Sequence, residues 1–295
     1  MNAATPHRAS IRRMQSFLAA EEARAAVWLR NFWARQQNAV QYQELHNMIL
    51  AWDPSAELLD QWQQEYAHFV TARLAPQWEN AMLVSSRTRQ AQAGIVFSPG
   101  IDLAQSFVSR HGAEFAANMT ITQKNALQAM ISQAIQHEAM TADNLARLMR
   151  PVIGLTVPQA KANFNFWQAA WQAGIESGLS ARAAEERAYR MARNYAARQH
   201  QYRASVIART ELVTAYNYAA YETTQEAIRS GLLGACNKIW VTAGDSKVCP
   251  FCHGLDGTSV GMNGRFDIRI GNRTVNVLYP PAHPQCRCAV AYVEI

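Results

Sequence analysis

The sequence predicts a mainly α-helical protein that ends in a small α+β, β-rich module, which a zinc ion could hold together. Apolar residues recur every three or four positions through most of the first 232 residues, the spacing of amphipathic helices. After residue 234 the pattern changes to short β-prone runs separated by glycine and asparagine. Four of the chain's five cysteines lie in this last part.

The composition bounds the class of protein. At 295 residues and 49% hydrophobic, the chain can form two domains and bury a substantial core. It has no apolar run of about eighteen residues and no apolar stretch typical of a signal peptide at its start. We therefore expect no membrane segment and synthesis in a reducing cytoplasm, where clustered cysteines favour metal binding over disulfides.

The formal net charge is +6, with 24 arginines against four lysines. Guanidinium groups suit phosphate and carboxylate partners, although the codon bias of a GC-rich genome explains the same preference. The charge is spread along the chain without a basic tail, so charge alone does not predict DNA binding.

The sequence divides into three predicted regions. Residues 1–93 form two or more antiparallel helices, broken by the Asp53-Pro54-Ser55 turn, with Ser55 starting the next helix. A glycine- and proline-containing stretch, 94–100, opens the helical region 94–234. Its helical patterns cover 102–117, 122–137 and 141–149, each opened by an Asp or Thr suited to capping.

The same helical region continues to about residue 232. Thr156 is placed to cap a helix with Pro158 in its first turn. The third region, 235–295, is the C-terminal module, with Gly271-Asn272 predicted as a hairpin turn. Its four predicted strands are 239–242, 265–270, 274–278 and 289–293.

One helix of the second region carries an arginine face that suits contact with DNA phosphates or with acidic side chains of a neighbouring subunit. A solvated face partly neutralised by Glu186 fits the same pattern. The arginines that share this half of the helical wheel are Arg182, Arg187, Arg190, Arg193 and Arg198.

The cysteines of the module have the spacing of a metal site. Cys249-Pro250-Phe251-Cys252 places two sulfurs on one side of a tight turn, and a second Cys/His pair can complete a tetrahedral zinc site. The second half is Cys-x-Cys, at 286–288, and both His253 and His283 compete for a place, so spacing alone leaves the ligand set open. Buried thiols or disulfides are the alternatives.

The cysteine and histidine pattern bears on two classes of metal-dependent enzyme. A zinc deaminase needs His-x-Glu followed by Pro-Cys-x-x-Cys, and the chain has neither. A nuclease of the HNH kind would use His283 to activate a water beside a second metal. The candidates for its further ligands are Asp245, Asp256, Asn263, Asp267 and His253.

The second half of the chain carries an ordered series of short motifs: Ile153-Gly154-Leu155-Thr156, 203–211 (RASVIARTE), Ala215-Tyr216-Asn217, Trp240, 245–252 (DSKVCPFC), Leu255-Asp256-Gly257 and 280–288 (PPAHPQCRC). In order and spacing, these motifs resemble the phage Mu F-like minor head morphogenesis protein family, from about residue 155 to residue 295. The N-terminal third carries no motif that contributes to this resemblance.

The resemblance implies a non-enzymatic minor head protein of a tailed phage or prophage that acts near the portal in head morphogenesis and in DNA packaging or ejection. It implies portal and major capsid or scaffold proteins as partners, with packaged DNA as a further one. The expected location is the head interior or portal vertex of the virion, and the host cytoplasm during assembly. A metal-dependent HNH-like nuclease and a DNA-binding adaptor that uses its zinc module remain the alternatives.

Carried over by residue, the resemblance also implies a metal or fold-forming cluster and a structural or contact signature. The signature is Arg209 with Glu211, which lie two residues apart and so point to different sides of a helix. The cluster consists of Cys249, Cys252, His283, Cys286 and Cys288.

Overall fold

A computed structural model describes residues 8–96, 101–135, 140–270 and 273–295, apart from the side chains of 101, 102 and 270. A π-helical turn (Val70–Leu74) precedes α4, and a 3₁₀ turn (Arg150–Val152) follows α6. Over this described part, no helix has the length and apolar character needed to cross a membrane. The helices are α1 (Arg8–Ala39), α2 (Tyr42–Ala51), α3 (Ala56–Phe69), α4 (Ala75–Ala93), α5 (Ile101–Ala134), α6 (Ala142–Met149), α7 (Val157–Glu176), α8 (Ala181–Arg229) and α9 (Pro250–His253).

Local capping explains where three of these helices begin. The Ser55 hydroxyl accepts a hydrogen bond from the Leu58 amide (3.2 Å) at the start of α3, and Thr141 caps α6 in the same way. Thr156 forms a capping box with Gln159 at the start of α7, with proline in the first turn. The three predicted caps are confirmed.

The prediction of separate helices over 102–117 and 122–137 is wrong, because α5 runs without a break from Ile101 to Ala134. Thr120 donates from its hydroxyl to the Ala116 carbonyl (3.0 Å), and Met119 is buried. With no glycine or proline at this point, packing overrides the capping preference of Thr122. The last predicted residues, 136–137, and the Asp102 cap lie outside the part of the chain that is described.

The chain divides into two compact units, each assembled from separate segments. The first unit comprises 1–26, 73–110 and 205–295, and the second comprises 27–72 and 111–204. The helices α1, α5 and α8 contribute residues to both. The division into consecutive regions 1–93, 94–234 and 235–295 stays a prediction.

The second unit has a large apolar core formed by α2, α3, α5, α6, α7 and the first part of α8. Trp62, Met130, Leu148 and Phe164 are almost wholly buried in it. Fully burying a side chain of this size contributes about 2 kcal/mol or more, so this core stabilises the unit without any cross-link.

The C-terminal module, within the first unit, contains two small antiparallel sheets. One has the strand order β2-β1-β5 and the other pairs β3 with β4. The predicted Gly271-Asn272 turn lies outside the described residues, but the strands on either side of it pair as expected. The strands are β1 (Cys236–Val241), β2 (Ser259–Gly261), β3 (Phe266–Ile270), β4 (Arg273–Val277) and β5 (Ala289–Glu294). The predicted fold class, mainly α with a small β-rich module, is confirmed.

Candidate metal centre

The first cysteine pair is built by the short helix α9. Cys249 is its N-cap residue, and the Cys249 thiol accepts a hydrogen bond from the Cys252 amide (3.3 Å). Pro250 occupies the first helical position, where a missing N–H costs nothing. The proline inside the Cys-x-x-Cys pair therefore helps to fold both sulfurs to one side of the turn.

The second donor segment is a tight turn between Pro281 and β5. The Cys286 amide donates to the His283 carbonyl (3.2 Å), and this backbone hydrogen bond closes the turn. Gln285 has a left-handed backbone conformation with φ of 68°, which is uncommon for a residue other than glycine. Contacts from elsewhere in the first unit must therefore hold this turn.

Five donor atoms converge between these two segments. The His283 Nε2 atom lies 3.0 Å from the Cys249 sulfur and 3.2 Å from the Cys252 sulfur, and the Cys252 and Cys286 sulfurs are 3.9 Å apart. The donors form two groups, each within 4.8 Å: Cys249, Cys252 and His283, and Cys252, Cys286 and Cys288. Cys252 belongs to both groups and is the centre of the cluster.

The two competing histidines differ in position. His283 has its Nδ1 atom 2.8 Å from the Pro284 carbonyl, so Nδ1 carries the proton and Nε2 faces the sulfurs with its lone pair. His253 is exposed and belongs to neither donor group. The geometry thus brings His283 to the cysteines and leaves His253 aside.

The thiols of the cluster share their protons unequally. Hydrogen bonds from Cys252 and Cys288 lower the pKa of Cys286 to about 3, and the hydrogen bond with Cys286 raises the pKa of Cys252. All five cysteines of the chain are free thiols. A soft divalent cation binds thiolates and displaces such protons, so the donor set fits zinc.

A charged pair connects the two sides of the site. Arg287 donates two hydrogen bonds to Asp245 (2.6 and 2.9 Å), and this contact lowers the pKa of the Asp245 carboxyl group. Asp245 also accepts from the Lys247 amide two residues before Cys249. The pair therefore joins the loop that carries the first cysteines to the segment that carries the last ones, beside a cavity of about 270 Å³.

Helix α8 holds the strained turn at Gln285. Arg209 donates two hydrogen bonds to Glu22 of α1 (2.9 and 2.7 Å) and one to the Gln285 side chain. Thr210 accepts a hydrogen bond from the Gln285 amide (3.2 Å). Arg209 therefore positions the second donor segment, while Glu211, its partner in the sequence signature, is half-buried.

Asn217 is a second support from α8 that sequence reasoning left without a role. Its side-chain amide donates to the carbonyl of Cys288 (3.2 Å) and to the Val213 carbonyl. Glu22 and Gln285 were likewise assigned no role. Asn217 and Gln285 lie within the ordered motifs, and this position could have indicated a role for them. No sequence feature indicates a role for Glu22, because it lies far from the motifs in sequence.

The candidate nuclease ligands have other partners. Asp256 accepts hydrogen bonds from the Thr242 amide (2.8 Å) and hydroxyl (2.9 Å), Asp267 accepts from Asn276, and Asn263 accepts from Gln225. Within the described ranges, no aspartate joins His283 in a group of metal donors. In the part of the chain that the structure describes, no carboxylate therefore lies beside His283 as the HNH-like alternative expects.

The arginine face lies on the α8 segment of the second unit, and its five members are exposed. They do not form one uniform surface. Arg190 and Arg193 border a groove with Arg147 and Arg150, whereas the other three are not part of its lining. The exposed members are Arg182, Arg187, Arg190, Arg193 and Arg198.

One comparison with known proteins gives a match. Residues 167–291 match the sequence profile of the family described as "Phage Mu protein F like protein". No curated protein and no solved structure matches the chain significantly. The matched segment contains all five residues of the metal cluster, together with Arg209 and Asn217. The resemblance found in the sequence is thereby confirmed: over residues 167–291 the chain is similar to the phage Mu F-like minor head protein family.

Proposed function

We propose that this chain is a head morphogenesis protein of a tailed phage or prophage, present in the virion at few copies near the portal vertex. The family match suggests the head role. The proposed partners are the portal and the major capsid or scaffold proteins, and the proposed action is in DNA packaging or ejection. The protein would reside in the host cytoplasm during assembly.

The observation that supports this proposal best is the cluster of five donors inside the matched segment, supported by α8 through Arg209 and Thr210. A structural site closes a module too small to have a large core of its own. We propose that zinc is the ion and that its ligands come from Cys249, Cys252, His283, Cys286 and Cys288. Zinc takes four of these donors in a structural site.

The role proposed for the cluster is structural rather than catalytic. A structural zinc has four protein ligands, whereas a catalytic zinc keeps one position for water or substrate. Five donors converge here, which leaves no need for a water ligand. Arg209 and Glu211 are proposed as a structural or contact signature. The arginines proposed as contacts to a protein partner or to DNA are Arg182, Arg187, Arg190, Arg193 and Arg198.

Quantitative mass spectrometry of density-purified particles from an induced host tests the head role. The expected result is this chain at a few to about a dozen copies per particle, measured against the portal protein. Absence from purified particles would contradict the head role, and metal-dependent cleavage of DNA that requires His283 would replace it with the nuclease alternative.

A further inference from the structure

The second unit contains a groove of about 470 Å³ whose walls come from three elements. One wall is α8, a second is the end of α6 with the 3₁₀ turn after it, and the third is the last turns of α1. We call it the arginine groove. Its charged and aromatic lining consists of Arg147, Arg150, Glu186, Tyr189, Arg190 and Arg193.

Two of these arginines are fixed by contacts of their own. Arg147 binds Glu186 through two hydrogen bonds (2.6 and 2.7 Å), and its guanidinium carbon lies 4.4 Å from the centre of the Tyr189 ring. Arg150 donates to the Val40 carbonyl (2.9 Å). The wall opposite α8 is therefore preorganised.

The other two arginines are available to a ligand. Arg190 and Arg193 are exposed, and neither forms a salt bridge or hydrogen bond with any residue that the structure describes. They lie three positions apart on α8, so their side chains emerge next to each other. Two adjacent guanidinium groups suit bidentate binding of carboxylates.

The remaining lining favours a peptide over duplex DNA. Leu148, Pro151 and Tyr189 give the groove an apolar floor, and its volume is in the range of sites that enclose a small ligand. A duplex is too wide to enter such a groove, and a phosphate backbone brings no apolar group to its floor. An acidic peptide can place carboxylates on Arg190 and Arg193 and an apolar side chain on the floor.

We infer that the arginine groove is a docking site for an acidic peptide segment of another protein, one that carries apolar side chains between its carboxylates. Charge complementarity and the apolar floor define this partner. The inference goes beyond the head role and does not depend on the metal centre, which belongs to the other compact unit.

Fluorescence anisotropy with the full-length protein tests this inference. The probe is a short labelled peptide that alternates glutamate with leucine, and the control peptide has glutamine in place of glutamate. The groove variant is Arg190→Glu with Arg193→Glu. The matched control is Arg30→Glu with Lys161→Glu, which makes the same charge change at exposed positions of the same compact unit but outside the groove lining. Circular dichroism checks that both variants keep their helices.

The acidic peptide should bind the parent protein and the control variant similarly, and the groove variant at least about tenfold more weakly, which corresponds to about 1.4 kcal/mol. The glutamine peptide should not bind. Equal weakening in both variants would reduce the effect to net charge and overturn the inference. So would failure of the acidic peptide to bind. Preference for a short DNA duplex, lost in the groove variant alone, would assign the groove to nucleic acid instead.

Discussion

The C-terminal module and the second compact unit are held together in different ways. Among the described residues, one apolar cluster of the second unit has 25 buried members, with large aromatic and aliphatic side chains from six helices. The corresponding cluster of the module has eight described members, and three of these are the cysteines Cys252, Cys286 and Cys288. Apolar burial stabilises the second unit, whereas the module has side chains that can bind a metal where further apolar side chains would otherwise pack.

The two regions should therefore lose their folded structure under different perturbations. Removing a donor should unfold the module and spare the second unit. Removing a core side chain should weaken the second unit and leave metal binding intact. Single substitutions in each region can distinguish stabilisation by apolar burial from stabilisation by a bound metal.

The largest expected effect is that of Cys252→Ser, because Cys252 belongs to both donor groups. A structural zinc contributes on the order of 10 kcal/mol to folding, so its loss should expose β1 and β5 to hydrogen exchange. Hydrogen exchange measured by mass spectrometry should show this loss while α7 stays protected. Cys236→Ser is the matched control, since Cys236 is also buried but lies outside the cluster. Unchanged protection of β1 and β5 in the Cys252 variant would refute the role of the metal.

A smaller effect is expected from Trp62→Ala in the second unit. Trp62 is fully buried, so its removal should cost about 3 to 5 kcal/mol of unfolding free energy, measured by urea denaturation. Trp52, which is 55% exposed, provides the control, and its replacement by alanine should change stability by about 0.5 kcal/mol or less. Zinc content should be the same in both variants. Loss of zinc from the Trp62 variant would contradict the separation.

Acid should destabilise the second unit through His200. Burial lowers the pKa of this imidazole from 6.5 to about 4. As the pH falls through this window the unfolded chain takes up the proton first, so stability present above pH 6.5 is progressively lost towards pH 4. The full effect is about 3 kcal/mol. Urea denaturation across this range should show a shallower pH dependence for His200→Gln than for the parent, and identical slopes would exclude His200 as the cause.

The smallest effect concerns two arginine–glutamate pairs, one in each compact unit. Arg209 and Glu22 are mostly buried, with side chains 27% and 20% exposed, whereas Arg147 and Glu186 are 50% and 54% exposed. Double-mutant cycles with alanine should give a coupling of about 1 kcal/mol for the first pair and a weaker coupling for the second, because solvent screens the exposed charges. Equal couplings would mean that burial does not strengthen the pair at Gln285.

Much of the fold could be predicted from local patterns. Helix starts at Ser55, Thr141 and Thr156 and four strands of the module follow from neighbouring residues, whereas β2 was not predicted. The continuity of α5 could not be predicted from local patterns, because no neighbouring residue reveals that burial of Met119 outweighs the capping preference of Thr122. Grouping into two discontinuous units likewise depends on contacts between distant segments.

The cysteine and histidine side chains of the site could be predicted, whereas the contacts that support them could not. The five side chains expected to bind a metal lie together in the structure, and His283 rather than His253 is brought to the sulfurs. The contact of Arg209 with Glu22 spans 187 positions, so no spacing rule could find it. The arginine groove was missed for a similar reason, since the helical wheel of α8 contains no information on Arg147 and Arg150.

The most direct measurement of the central claim, that a metal holds the C-terminal module, is the metal content of the purified full-length chain under reducing conditions. Inductively coupled plasma mass spectrometry should find about one zinc ion per chain, retained by Cys236→Ser and lost from Cys252→Ser. A metal-free chain whose β1 and β5 remain protected from hydrogen exchange would contradict the account.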